Sequence, residues 1–406
     1  MVEVNSGDTA WVLVSAALVM FMTPGLAIFY GGMIRSKNIL AMLMMNYVAM
    51  GIVTMLWIAV EASLVFGADL GGGAIGGLGL VGFRGIGSGN GVFNYSVPDS
   101  AFLMFQLMFA IITPAVVAGA VAERMKFTAW MAFTAAWSLL IYAPIAHWVW
   151  GGGFLGAGFG AIDFAGGLVV EINSGASALA LALVLRPRTG WGHQIIRPHN
   201  LPLTILGAGI LWFGWFGFNA GSSLAANGIG AQAFMTTHIA ASIAACAWIA
   251  AEAFSGGKPT TLGFASGAIA GLVAITPAAG FVSVAGASVI GVAAGLVCFS
   301  ALRLKTRFNF DDSLDVVAVH MVGGIIGTLL VGLLADRLVN EAAEGGLLQL
   351  GRQAIAVVVT LAYAFGGTFV IAKVLDRAMG IRVPETYERD GLDITLHEEQ
   401  AYQFSD

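Results

Sequence analysis

Three ionisable side chains lie inside stretches that are otherwise apolar: Glu61, Glu171 and His320. A charge at the centre of a membrane helix costs about 2.5–3.5 kcal/mol or more, so such groups line a pathway or meet a partner. An acid can hold a cation, and an acid with an imidazole can hold or hand on a proton. For His320 the plainer alternative is a core histidine satisfied by a backbone carbonyl. Asp163 and Asp315 stand near the starts of the runs that contain Glu171 and His320. An acid there satisfies free backbone N–H groups and complements the helix dipole, so both read as structural caps. Phe105 and Phe109 are four apart and share a helix face. Trp215, Phe216 and Phe218 precede Asn219-Ala220-Gly221-Ser222. Trp148 and Trp150 suit a membrane belt, and an aromatic face also attracts a cation. His147, His193, His199, His238 and His397 show no pattern of their own.

The elements that position these groups follow from composition. Of 406 residues, 58% are hydrophobic and only 10% charged. A soluble domain carries about 25% charged residues, so this chain has too few to cover a water-facing globule. Its 56 glycines suit helices that pack closely in a bilayer. The net charge of −5 argues against nucleic acid. Cys246 and Cys298 lie in separate apolar runs and read as buried thiols, without disulfide or metal spacing. Residues 1–10 hold Glu3 and Asp8 and no basic residue, so the first apolar run reads as a spanning helix rather than a signal peptide. No nucleophile–base set or phosphate loop points to an enzyme, and no cofactor is implied.

Runs of about 20 apolar residues fall at 10–31, 39–66, 100–121, 128–147, 163–185, 200–219, 231–254, 261–279, 284–303, 315–335 and 351–374. The expectation is an all-α, multi-pass cell-membrane protein with eleven spanning helices. Residues 1–375 form the membrane domain and 376–406 a cytoplasmic tail. With the N-terminus outside, fifteen of the eighteen Lys and Arg fall on inner loops and the tail, leaving Arg84, Arg337 and Arg352 outside. The positive-inside rule then gives N-out, C-in. Val170-Glu171-Ile172-Asn173-Ser174-Gly175 and Val319-His320-Met321-Val322-Gly323-Gly324 hint at a repeat. Two five-helix halves would be inverted relative to one another, with the site at their interface. Gly263, Gly267 and Gly271 form a close-packing stripe.

Several segments together resemble the ammonium transporter (Amt/Mep/Rh) family, in family order. They are Thr23-Pro24-Gly25 with Phe29-Tyr30-Gly31-Gly32, Phe105-Gln106 to Phe109 with Ala122-Glu123-Arg124, and Pro144 to Gly153. Asp163-Phe164-Ala165-Gly166-Gly167, Pro198-His199-Asn200-Leu201-Pro202, Trp215 to Ser222, Gly267 to Val273, and Asp315 with Val319-His320 follow. The resemblance implies two inverted five-helix repeats plus a long final helix, assembled as a homotrimer with one pore per protomer. It implies an outer recruitment site for ammonium at Phe105, Phe109, Trp150 and Ser222, and a gate of stacked rings at Phe109 and Phe218. It also implies a pore pair at Glu171 and His320, with Asp163 as structural support.

The sequence departs from the family where it matters. Glu171 replaces the first of two pore histidines, Glu61-Ala62-Ser63 replaces Gly-Tyr-Ser, and His397-Glu398-Glu399 replaces His-Gly-Glu. Glu61 and Ser63 are candidates for the outer mouth, although residues two apart point in different directions on a helix. Glu61 may equally pack against a neighbouring helix. Glu171 and His320 should titrate as a coupled pair, either as an ion pair or as a neutral hydrogen-bonded pair. The leading function is conduction of ammonium, or ammonia plus a proton. The alternative is an ammonium sensor on the same fold with little or no transport. A PII-type regulatory protein, or a signalling domain fused downstream, is the implied partner on the C-terminal side.

Overall fold

A computed structural model describes residues 2–193 and 196–402. The last four tail residues, 403–406, lie outside the described residues. Helices dominate, as a bilayer demands, because only a helix or a closed barrel satisfies its own backbone in lipid. No strand forms among the described residues; two isolated bridges join Asp69 to Gly76 and Met125 to Arg382.

Ten helices are long and apolar enough to cross a membrane, and one shorter apolar helix joins them. In chain order they are α1 (Ser6–Met33), α2 (Ser36–Phe66), α3 (Asp99–Val121), α4 (Phe127–Gly158), α5 (Gly167–Leu185), α6 (Leu201–Gly221), α7 (Gly228–Phe254), α8 (Thr261–Ile275), α9 (Val284–Arg307), α10 (Val317–Leu334) and α11 (Leu347–Met379). The eleven apolar runs of the sequence correspond to these helices. The helix α11 continues four residues past the expected boundary at 375 and ends at Met379, before Gly380 in the left-handed region. Two short tail helices follow, α12 (Glu385–Asp390) and α13 (Leu392–His397).

Several helix starts carry the side-chain caps that their sequences supply. Asn5, Asn200, Asn227, Thr260 and Ser283 accept from Gly7, Leu203, Gly230, Gly263 and Gly286 N–H groups respectively. The helices pack in a pattern that recurs after five. The third, α3, lies against α1 and α5, and α8 lies against α6 and α10. The first helix lies along α6, and α11 crosses the outside of α5 and α10.

Glycine permits the α1–α6 contact. A Cβ on Gly217 would stand 2.7 Å from Leu18 Cβ and 2.9 Å from the Ser15 carbonyl oxygen. By contrast, a Cβ on Gly51 would meet nothing within 4 Å. Gly217→Ala is therefore expected to destabilise by about 1–3 kcal/mol through overpacking. Gly51→Ala should be neutral or slightly stabilising. Thermal unfolding of the two variants in one detergent checks this; equal melting temperatures would contradict it. The glycine stripe of α8 behaves alike, since a Cβ on Gly267 or Gly271 would crowd Trp248 or Ala244 of α7.

Candidate functional site

Glu171 and His320 meet at the crossing of α5 and α10. Each sits in a wide-turned π segment, Gly167–Ile172 and Val317–Met321. Such segments recur at functional sites. The His320 Nδ1 stands 2.6 Å from Glu171 Oε2, and both side chains are buried. Nε2 has no hydrogen-bond partner among the described residues. Two glycines four residues on allow the crossing. A Cβ on Gly175 would crowd Met321, and one on Gly324 would stand 2.9 Å from Glu171 Cβ.

The caps that start these segments are built alike, and here the structure corrects the sequence reading. Asp163 accepts from the N–H groups of Gly166, Gly167, Leu168 and Val169. Its counterpart is Asp312, whose Oδ2 accepts from Val317 N–H at 2.7 Å. Each acid lies eight residues before its pore group. Asp315 occupies the place of Gly166 instead, three residues after the cap, and both have positive φ (61° and 124°). Aspartate tolerates that conformation better than most residues. The Asp315 carboxylate is not a cap; it pairs with Lys305 at 2.6 Å. Burial and the neighbouring Asp315 push the Asp312 carboxyl up to about 6.

Beside the pair on one side is a ring stack. Phe109 and Phe218 have centroids 4.3 Å apart with planes inclined by 37°. Trp150 meets Phe109 edge-on at 5.7 Å, and its Nε1–H donates to the Asp163 carbonyl at 3.0 Å. Ser222 donates its hydroxyl to the Phe218 carbonyl at 2.8 Å. Trp150 and Ser222 keep partial exposure, whereas Phe105 is wholly buried behind Phe109, ring centroids 4.9 Å apart. Phe109 is equally buried, so Trp150 and Ser222 carry the surface that the four expected recruitment residues present.

Glu61 and Ser63 do not join that cluster. Ser138 donates to Glu61 Oε1 at 2.6 Å, which ties α2 to α4. Ser63 donates to the Gly77 carbonyl and accepts from Leu80 N–H, which fixes the loop after α2. The outer-mouth placement gives way to the packing alternative, because Glu61 Oε1 and the Ser63 hydroxyl are engaged by neighbouring elements while Glu61 Oε2 is buried without a partner.

Two cavities flank the pair. One, of about 20 Å³, is lined by Phe29, Val170, Glu171, Trp215, Phe218 and His320 among others. That is room for about one water-sized occupant. The other, of about 130 Å³, is lined by Tyr30, Glu252, Thr260, Asp315 and His320 among others. His320 therefore borders both and stands between them.

Sequence reading also missed a buried ion network at the helix ends that carry the tail. Arg188 Nη1 meets Glu123 Oε2 at 2.9 Å, and its Nε and Nη2 meet the two Asp311 oxygens at 2.8 and 2.9 Å. Arg35 Nε meets Glu123 Oε1 at 2.9 Å. Glu123 thus pairs with Arg35 and Arg188 rather than with its neighbour Arg124. Burial opposes the Glu123 charge, but Arg188 and Arg35 outweigh it and hold the carboxyl down at about 2. Burial lowers Arg124 to about 10.

Apolar helices around a buried acid–imidazole pair, with a cavity on either side and stacked rings over one of them, define a multi-pass membrane protein with a narrow interrupted pore. The chain belongs to the ammonium transporter family: residues 10–402 match the Ammonium Transporter Family. It is 47% identical to an ammonium transporter of Mycobacterium tuberculosis, over 99% of this chain and 91% of the relative. The crystal structure of Saccharomyces cerevisiae Mep2 superposes with a TM-score of 0.87 at 35% identity, covering 94% of this chain and 91% of that one. A solved structure described as a sensor Amt protein superposes with a TM-score of 0.90 at 30% identity, covering 96% and 98%.

Proposed function

We propose that this protein moves ammonium across the cell membrane, as the ion or as ammonia plus a proton, through a pore in each protomer of a homotrimer. Phe105, Phe109, Trp150 and Ser222 receive the cation, the Phe109–Phe218 stack gates it, and Glu171 with His320 passes it on. The observation that carries this reading is the 2.6 Å Glu171–His320 contact beside the ring stack, with a water-sized cavity between them. Rings and a hydroxyl partly replace the water that a small cation sheds, whereas a larger hydrated ion does not fit. The N-terminus faces outward, from the distribution of basic residues, and the tail offers the cytoplasmic surface for a regulatory partner.

Reconstitution in liposomes, with currents recorded on a solid-supported membrane after an ammonium jump, tests it. A saturable inward current is expected, and Glu171→Ala and His320→Ala should lose most of it. The likeness to a sensor Amt protein favours a second reading, in which the fold binds ammonium and signals. Tight binding without current on the same preparations would overturn transport in favour of that reading.

A further inference from the structure

We propose that His147 is a positioning residue of the ring site, held as a doubly protonated imidazolium between the Val65 carbonyl and the Asp69 carboxylate, so that proton concentration on that side of the membrane sets the order of the 67–77 loop and of the turn carrying Trp150. The inference stands on hydrogen-bond geometry and is independent of whether the protein transports or senses.

The His147 ring is fully buried, and both its nitrogens face oxygen. Nδ1 lies 2.7 Å from the Val65 carbonyl oxygen and Nε2 lies 3.2 Å from Asp69 Oδ1. A carbonyl only accepts, and so does an ionised carboxylate. Asp69 stays ionised. The Gly73 N–H, with those of Gly71 and His147, holds its carboxyl below the usual range. A neutral imidazole has one N–H and would turn a lone pair on the other acceptor. Only the imidazolium donates to both.

The clasp reaches the ring site through the backbone. Gly151 and Gly153 N–H groups donate to the His147 carbonyl at 3.0 and 2.9 Å, and Trp150 N–H donates to Ala146 at 2.8 Å. A Cβ on Gly151 would collide with the Val65 carbonyl oxygen and stand 2.7 Å from His147 Nδ1, so the turn is fitted around this contact. The loop is tied to the same turn. Phe154 N–H donates to the Gly73 carbonyl at 3.1 Å, and Trp148 Nε1–H donates to the Ala74 carbonyl at 2.7 Å.

Other titratable groups on the surrounding elements are engaged elsewhere. Glu61 on α2 accepts from Ser138, Tyr363 on α11 donates to the Leu140 carbonyl, and Glu171 on α5 meets His320. Tyr142, one turn earlier on α4, is buried. Asp69 alone among them makes a hydrogen bond to the ring.

Hydrogen–deuterium exchange of segments 67–77 and 147–154 tests the proposal on the full chain, corrected for intrinsic exchange, across about pH 5 to 8. In the parent, protection is expected to fall about tenfold or more toward the alkaline end. In His147→Gln it should be low throughout, and in Asp69→Asn, whose amide N–H can donate to a neutral Nε2, it should be flat with pH. Asp69→Asn keeps the side chain's size and its acceptor for Gly73, so it carries the test should His147→Gln not fold. Protection in the parent that does not change with pH, or an Asp69→Asn variant with the parent's profile, would overturn the proposal.

Discussion

Glu171→Gln is expected to weaken ammonium binding by about 10- to 100-fold with the fold intact. Glutamine keeps the length of the side chain and an oxygen for His320 Nδ1, which now stands 2.6 Å from Glu171 Oε2. What it removes is charge. A hydrogen bond to a charged group is worth about 1.5–3 kcal/mol, which is about one to two decades of affinity. The same loss should quicken release, because conduction needs binding weak enough to leave. Glu171→His, which puts a neutral base in place of the acid, should likewise bind more weakly and turn over faster. Calorimetric binding and current saturation on one preparation measure both effects. Unchanged affinity in Glu171→Gln would mean that the carboxyl contributes no charge to the site. Spectra of protein labelled at His320 give the complement: an imidazole that stays neutral well below pH 6 excludes the ion pair.

What the sequence revealed, and what it hid, divides along physical lines. Helix placement was legible, because a 20-residue apolar run has few other uses. The Glu171–His320 contact was legible because an ionisable group in such a run is conspicuous. The cap partner of His320 was misread as Asp315, although Asp163–Glu171 and Asp312–His320 share a spacing of eight that would have picked out Asp312. Three acids, Asp311, Asp312 and Asp315, stand close together there, and nearness to the apolar run favoured the wrong one. Glu61 looked functional for the reason Glu171 did; only the fold places Ser138 against it. His147 gave no signal at all, since its partners Val65 and Asp69 lie some eighty residues away in the chain. The ion network was hidden likewise, because Glu123, Arg188 and Asp311 are contributed by three separate loops.

Arg188→Met should destabilise the protein by about 3–5 kcal/mol and free the tail, because it takes one guanidinium away from two buried carboxylates at once, leaving Glu123 to Arg35 and Asn38 and Asp311 to Arg124. The Arg188 guanidinium carries three contacts of 2.8–2.9 Å to Asp311 and Glu123, and its backbone N–H adds a fourth to Asp311. These bolt together the tail-side ends of α3, α5 and α10, and Arg35 adds α2. The tail hangs on the same frame. Asn38 donates to Glu123 Oε1 and accepts from Leu392 N–H. Glu388 pairs with Arg382 and accepts from Thr189 N–H, one residue past Arg188. Melting in detergent should therefore fall together with protection of 382–397 from protease. Acid supplies an independent check. The carboxyl of Glu123 is held at about 2 in the folded state, below its ordinary value near 4.5. Its stabilisation is present above about pH 4.5 and is lost as pH falls through about 2. Asp311 is likewise lowered: burial opposes its charge, but Arg188 and Arg124 prevail. Parent stability should decline across that window. Without Arg188 the folded values rise toward the ordinary range, so the decline should still begin near pH 4.5 but end at higher pH and be smaller. A variant with the parent's melting temperature and acid profile would show that the network carries no stability and that the tail is held by its other contacts alone.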